Sequence, residues 1–163
     1  MREAAAHLAD CLDDVIDVQE RLFDVLTAQR PAIVEGRHDA VETLAHQTEV
    51  EVRRLAVAER TREAAAQAMA GELGLATARW TLLRVGLQPE ELEVLEGRVT
   101  AMEHLVRDIE MANAINGQLV RQELEMMDAS MRSLAGPTPS SYTAAGASAA
   151  APAPRPMMLN TAA

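Results

Sequence analysis

The 163-residue chain has no lysine, one cysteine and a single copy each of phenylalanine, tryptophan and tyrosine. Each shortage excludes something. With Phe23, Trp80 and Tyr142 as the aromatics, and with β-branched residues never gathered into alternating runs, a sheet has little to be built from. Cys11 cannot form an internal disulfide; it lies beside Leu8, Leu12 and Val15, with no basic group placed to lower its pKa, as a small core residue would. No stretch approaches the ~18 apolar residues of a membrane-spanning helix. The start, Met1 to Asp14, is acidic and lacks an apolar signal core, so a cytosolic protein is expected. All fifteen basic residues are arginines scattered among twenty-five acids, for a net charge of -10. Such a surface repels phosphate, which argues against nucleic acid and against anionic membrane as partners.

Catalytic constellations are missing too. Glu35 and His38 have the Glu-x-x-His spacing of di-iron bundles, but Gly36 interrupts the helix between them and no second copy exists. His46 lies on a helix as the acceptor of a phosphotransfer bundle does, yet the lysine and glycine that meet a phosphoryl group are absent nearby. His7 and His104 have no converging partner. There is no glycine-rich phosphate loop, no cysteine pair and no nucleophile–base–acid set. A protein without enzymatic activity, metal or cofactor is expected.

What is present is helical periodicity. Leu8, Leu12, Val15, Gln19, Leu22 and Leu26 form a heptad stripe, flanked by Cys11, Val18 and Val25, on a first helix from about Glu3 to Gln29. Pro31 predicts a kink or stop at Arg30, and Gly36 ends the turn that follows. Asp39, with Glu42 three residues on, predicts the cap of a second helix running to about Leu73. That helix turns alanine-rich toward its end, which buries less area per residue and predicts a softer end there. Gly71 and Gly74 mark its termination. Ala76 to Val85 reads as a short connecting helix with Trp80 as a core plug. Leu87-Gln88-Pro89-Glu90-Glu91-Leu92 then opens a last helix, with proline in the first position and Leu87 placed to staple against Leu92. The runs Glu90-Glu91-Glu93 and Arg53-Arg54 read as solvated faces.

The last helix carries one long register: Leu92, Leu95, Val99, Met102, Val106, Ile109, Asn113, Asn116, Val120, Glu123, Met127, Ser130 and Leu134. Asn113 and Asn116 stand where a coiled coil expects Leu or Ile. Two readings follow. The asparagines fix the register of a self-pairing coiled coil, or, with Leu119, Val120, Met127 and Met131, they edge an adaptable groove for a partner helix. After Leu134 the composition changes to Ala, Pro, Ser, Thr and Gly, with Arg155 the one charge. Residues 137–163 are therefore expected to be a disordered tail on a helical domain of residues 1–136, which carries a charge of -11. The tail is interrupted by Tyr142 and by Met157-Met158-Leu159. Together these elements predict an all-α fold: an elongated antiparallel bundle or coiled coil with long first, second and last helices and a short connector.

Several short features occur in an informative joint order: Arg30-Pro31-Ala32-Ile33-Val34-Glu35-Gly36, then Leu44 and Glu49, Arg62 and Gly74, Asn113-x-x-Asn116-x-x-Leu119, and Ser141-Tyr142-x-x-x-Gly146. In this the chain resembles the FlgN-type flagellar export chaperones. The resemblance implies a cytosolic type III export chaperone. Such a protein holds hook-associated (hook–filament junction) proteins by their terminal helices, prevents premature assembly and delivers them to the membrane export gate. It further implies that Asn113, Asn116, Leu119, Val120, Met127 and Met131 line the client surface. Tyr142 would dock on the cytoplasmic domain of the gate protein FlhA. Gly117 and the long Ala/Pro stretch of the tail depart from the family's pattern.

Overall fold

The computed structural model describes residues 1–134; Tyr142, the Met157-Met158-Leu159 cluster and the expected boundary at 136 lie outside the described residues. Among the described residues there are four helices and no strand: α1 (Glu3–Val34), α2 (His38–Glu72), α3 (Trp80–Gly86) and α4 (Pro89–Leu134). The chain divides into one unit, Met1–Glu123, and a second that begins at Leu124, inside α4.

In the first unit the α1 stripe lies as its periodicity requires. Leu8, Cys11, Leu12, Val15, Val18, Gln19, Leu22 and Leu26 are all buried. One core cluster joins Ala5, Leu8, Leu12 and their neighbours to Ala65, Ala66, Met69 and Ala70 of α2, Leu83 of α3 and Leu95 of α4. A second joins Leu22 and Leu26 to Ala112, with Phe23, Leu55 and Ile109 packed around them. The alanine-rich end of α2, expected to be soft, is its best-buried part. Ala70 and Met69 are 0% and 1% exposed, because small side chains let α1, α3 and α4 close in and Trp80, Leu73 and Leu75 seal the site. Trp80 is half-buried against this cluster.

Both ends of α2 are set by one backbone device. At Gly36 (φ 64°) the Gly36 N–H donates to the Ile33 carbonyl and the Arg37 N–H to Ala32; at Gly74 (φ 68°) the Gly74 N–H donates to Gly71 and the Leu75 N–H to Ala70. Each is a Schellman turn, whose left-handed position glycine occupies without steric cost. The turn after α1 explains two departures from expectation. Pro31 does not stop α1, which continues to Val34: in the last turn proline forfeits one intrahelical bond, while buried Ala32 and Ile33 hold the turn in place. Asp39 is not the cap of α2, since the chain leaving Gly36 enters the helix two residues earlier, at His38, with Arg37 in the cap position and no side-chain cap bond. Asp39 sits in the first turn, where an acid complements the helix dipole. The connecting helix also starts later than expected, at Trp80, because the Leu75 N–H is committed to the α2 terminus and the Arg79 carbonyl begins the first turn of α3.

Helices α1 and α2 pack antiparallel, with Gln29 meeting Thr48 and Arg21 meeting Glu51. In contrast, α4 runs parallel to α1. Arg2 meets Glu91, Asp13 meets Arg98 and Leu26 meets Asn116, at sequence separations of 89, 85 and 90.

Candidate partner-binding surface

The inner face of α4 is fixed by two columns of residues seven apart. One is Leu95, Met102, Ile109, Asn116, as the sequence register has it. The other is Glu91, Arg98, Leu105, Ala112, Leu119, all buried or half-buried. The register instead took Val106 and Asn113 as inward, and this is corrected: Val106 is 39% exposed and Asn113 is exposed. The true column was disguised by its two charges, both of which are paired inside the unit.

Glu91, read from sequence as a solvated acid, is 2% exposed. Its carboxylate accepts the backbone N–H of Arg2 (2.7 Å) and of Gln88 (3.1 Å) and pairs with the Arg2 guanidinium at 3.2 Å. Glu91 is the third residue of α4, so the bond from Gln88 is half of a capping box. The Arg2 N–H above all, then the Gln88 N–H and the Arg2 charge, hold its pKa below the usual carboxylate range against the opposing effect of burial. Arg98 donates from Nε and Nη2 to the two oxygens of Asp13, both at 2.8 Å, and this bidentate bond holds the guanidinium still more firmly protonated. A second buried acid, Glu51 of α2, lies between Arg54 at 2.6 Å and Arg21 at 3.4 Å. A signal for Glu91 did exist: counting back four residues from Leu95 puts it on the inner face.

Asn116 is 4% exposed and is taken up by the bundle itself. Its amide donates to the Leu26 carbonyl at 2.7 Å and to Gln29 Oε1 at 3.1 Å; Gln29 Nε2 donates to Thr48 Oγ1 at 2.9 Å. The result is a polar ladder from α4 through α1 to α2. Asn116 Oδ1 finds no hydrogen-bond partner among the described residues. The sequence expectation of two asparagines edging one groove is thus corrected: Asn113 faces out, and Asn116 faces α1.

Beyond Asn116 the burial of α4 fades. In the first unit Leu119 is half-buried and Val120 is 40% exposed. Val106, Asn113 and Val120, seven apart, form an exposed outer column. In the second unit every described residue, Leu124 to Leu134, is exposed. Leu124, Met127, Met131 and Leu134 follow three-and-four spacing there, with Met126 beside them, and Leu134 reaches 88% exposure. Such a stripe normally seeks a partner helix. Local forces sustain the helix without a core: Leu, Met, Glu and Arg favour it, and Asp128 pairs with Arg132 one turn on at 2.6 Å.

The four histidines do not converge. His46 is exposed, 3.9 Å from Glu49, and His38 and His104 are exposed. His7 approaches Cys11 Sγ at 3.9 Å. Burial first, then Asp14 and Asp10, push the Cys11 thiol pKa up. Among the described residues no group of three or more His, Cys, Asp or Glu is arranged to hold a metal ion, and no helix is long and apolar enough to cross a membrane. A comparison with family models matches residues 1–150 to the family described as FlgN protein. No curated protein and no solved structure matches the chain.

Proposed function

Because the chain belongs to the FlgN family, one of chaperones in flagellum biogenesis and type III export, we propose that it carries hook-associated proteins in the cytoplasm. It would bind their terminal helical segments, keep them from assembling early and deliver them to the export gate. The observation that carries this reading is the apolar side chains that α4 leaves exposed among the described residues: Val106 and Val120 in the first unit and, taken separately, Leu124, Met127, Met131 and Leu134 in the second. A client segment that folds on binding must offset its ordering entropy by burying apolar surface, and thioether side chains adapt to more than one helix face. Asn113 and half-buried Leu119 stand beside those of the first unit, and Asn116 acts behind them by holding α4 on α1. Tyr142, outside the described residues, is assigned the second contact, with the cytoplasmic domain of FlhA.

The test is titration calorimetry with a terminal-helix peptide of a hook-associated protein. The variants are Val120→Ser, Met127→Ser and Met131→Ser, all at exposed positions. Losing these three side chains from a desolvated contact is expected to weaken binding by roughly 10- to 100-fold while leaving the helical circular dichroism unchanged. Unaltered affinity in the triple variant refutes the assignment. The heptad spacing of the same residues also suits self-pairing. If the triple variant dissociates a dimer and leaves peptide affinity alone, α4 is an assembly helix instead.

A further inference from the structure

We infer that the Met157-Met158-Leu159 cluster is an intramolecular cover for the exposed stripe Leu124, Met127, Met131, Leu134. Two apolar sets of the chain stand outside its described core. The stripe is 50–88% exposed, so it has no cover among the described residues. Beyond residue 136, Met157-Met158-Leu159 is a cluster of three large apolar side chains in a segment otherwise made of small residues, prolines, Tyr142 and Arg155.

Reach permits the contact. Residues 135–156 separate Leu134 from Met157, and that many residues can reach at most about 75 Å. The stripe extends only about 15 Å along its helix, so the cluster can meet any part of it. Charge favours the same pairing. Arg155 stands two residues before Met157, and the flank of the stripe carries Glu125, with Asp128 already paired to Arg132. Tethering also selects this occupant over a second copy. A linker of this length gives an effective concentration on the order of 1 mM, well above the concentration at which separate copies meet in dilute solution.

The cover is weak by design of its size: three side chains, against the longer face of a client helix. With an intrinsic dissociation constant on the order of 0.1–1 mM, it lowers apparent client affinity by about 2- to 10-fold. The competition rests on the client reading given above; the docking does not.

The experiment uses the full chain with methyl-13C methionine, compared with the variant Met157→Ser, Met158→Ser, Leu159→Ser. The methyl signals of Met126, Met127 and Met131 are expected to move in the variant, those of buried Met69 and half-buried Met102 to stay, and the difference to be independent of protein concentration. Unmoved signals overturn the proposal. So does a difference that grows with concentration, which makes the occupant another copy's tail. A terminal-helix peptide is expected to bind the variant about 2- to 10-fold more tightly; equal binding overturns the competition. If the signals move and the peptide binds neither form, the cover stands and the client reading fails.

Discussion

Replacing Glu91 by glutamine tests how the start of α4 is held. The carboxylate accepts two backbone N–H groups, at 2.7 and 3.1 Å, and pairs with the Arg2 guanidinium at 3.2 Å, in a site where it is 2% exposed. Glutamine keeps the shape but loses the charge, and its amide nitrogen faces a donor. Hydrogen bonds to a charged group contribute ~1.5–3 kcal/mol each, and removing one partner of a buried pair costs ~3–5 kcal/mol. Since Arg2 is itself partly solvated, with 32% of its side chain exposed, a loss of about 2–4 kcal/mol is expected. That corresponds to roughly 6–12 °C in Tm for a chain of this size. The dependence on pH carries the sign. The folded-state pKa of Glu91 lies below its ordinary value of 4.5, so the stabilisation is fully present above that value and fades as pH falls through the folded pKa. Urea melts of both proteins between pH 7 and pH 3 check this. The wild-type advantage is expected to be constant above about pH 6 and to shrink below 4.5. A difference under about 0.5 kcal/mol at pH 7, or one that persists undiminished at the acid end, refutes the account.

Asn116→Ala is expected to cost about 1–3 kcal/mol, whereas Asn116→Leu costs less, since the Leu26 carbonyl lies inside α1 and Gln29 can turn toward solvent. Chemical denaturation of the three proteins decides, and equal losses would mean that the amide bonds are not what matters. For Cys11, which is 3% exposed with its thiol pKa raised by burial and nearby acids, iodoacetamide at pH 8 is expected to react only after unfolding. Prompt labelling of the native protein, read by mass spectrometry, would contradict that placement.

The sequence made the helices and the α1 core face legible, because one stripe there is apolar but for Gln19 and the glycines at 36 and 74 bracket α2. It misled on α4. Two columns flank Leu95, Met102 and Ile109, and the more apolar one, through Val106 and Asn113, turned out to be the outer. The inner one contains Glu91 and Arg98, whose partners Arg2 and Asp13 are 89 and 85 residues away. No local pattern announces a charge neutralised at such a distance. The same misphasing paired Asn113 with Asn116, when one of them faces solvent and the other holds α1. Of the residues assigned to the candidate surface, Val120, Met127 and Met131 are exposed, and that no described residue covers them is a tertiary fact that composition does not carry.

The parallel course of α1 and α4 has a consequence for the order of events during synthesis. The α1–α2 hairpin is built from neighbours such as Gln29 and Thr48, 19 residues apart, so it can close as soon as it leaves the ribosome. Every tie between α1 and α4 waits on some 85 further residues, and long-range contacts of that kind form late. When the last helix emerges, a finished template already exists for its inner side. The outer side of α4 within the first unit therefore meets the cell only after the α1–α2 hairpin is complete, on a helix whose inner side already has its template.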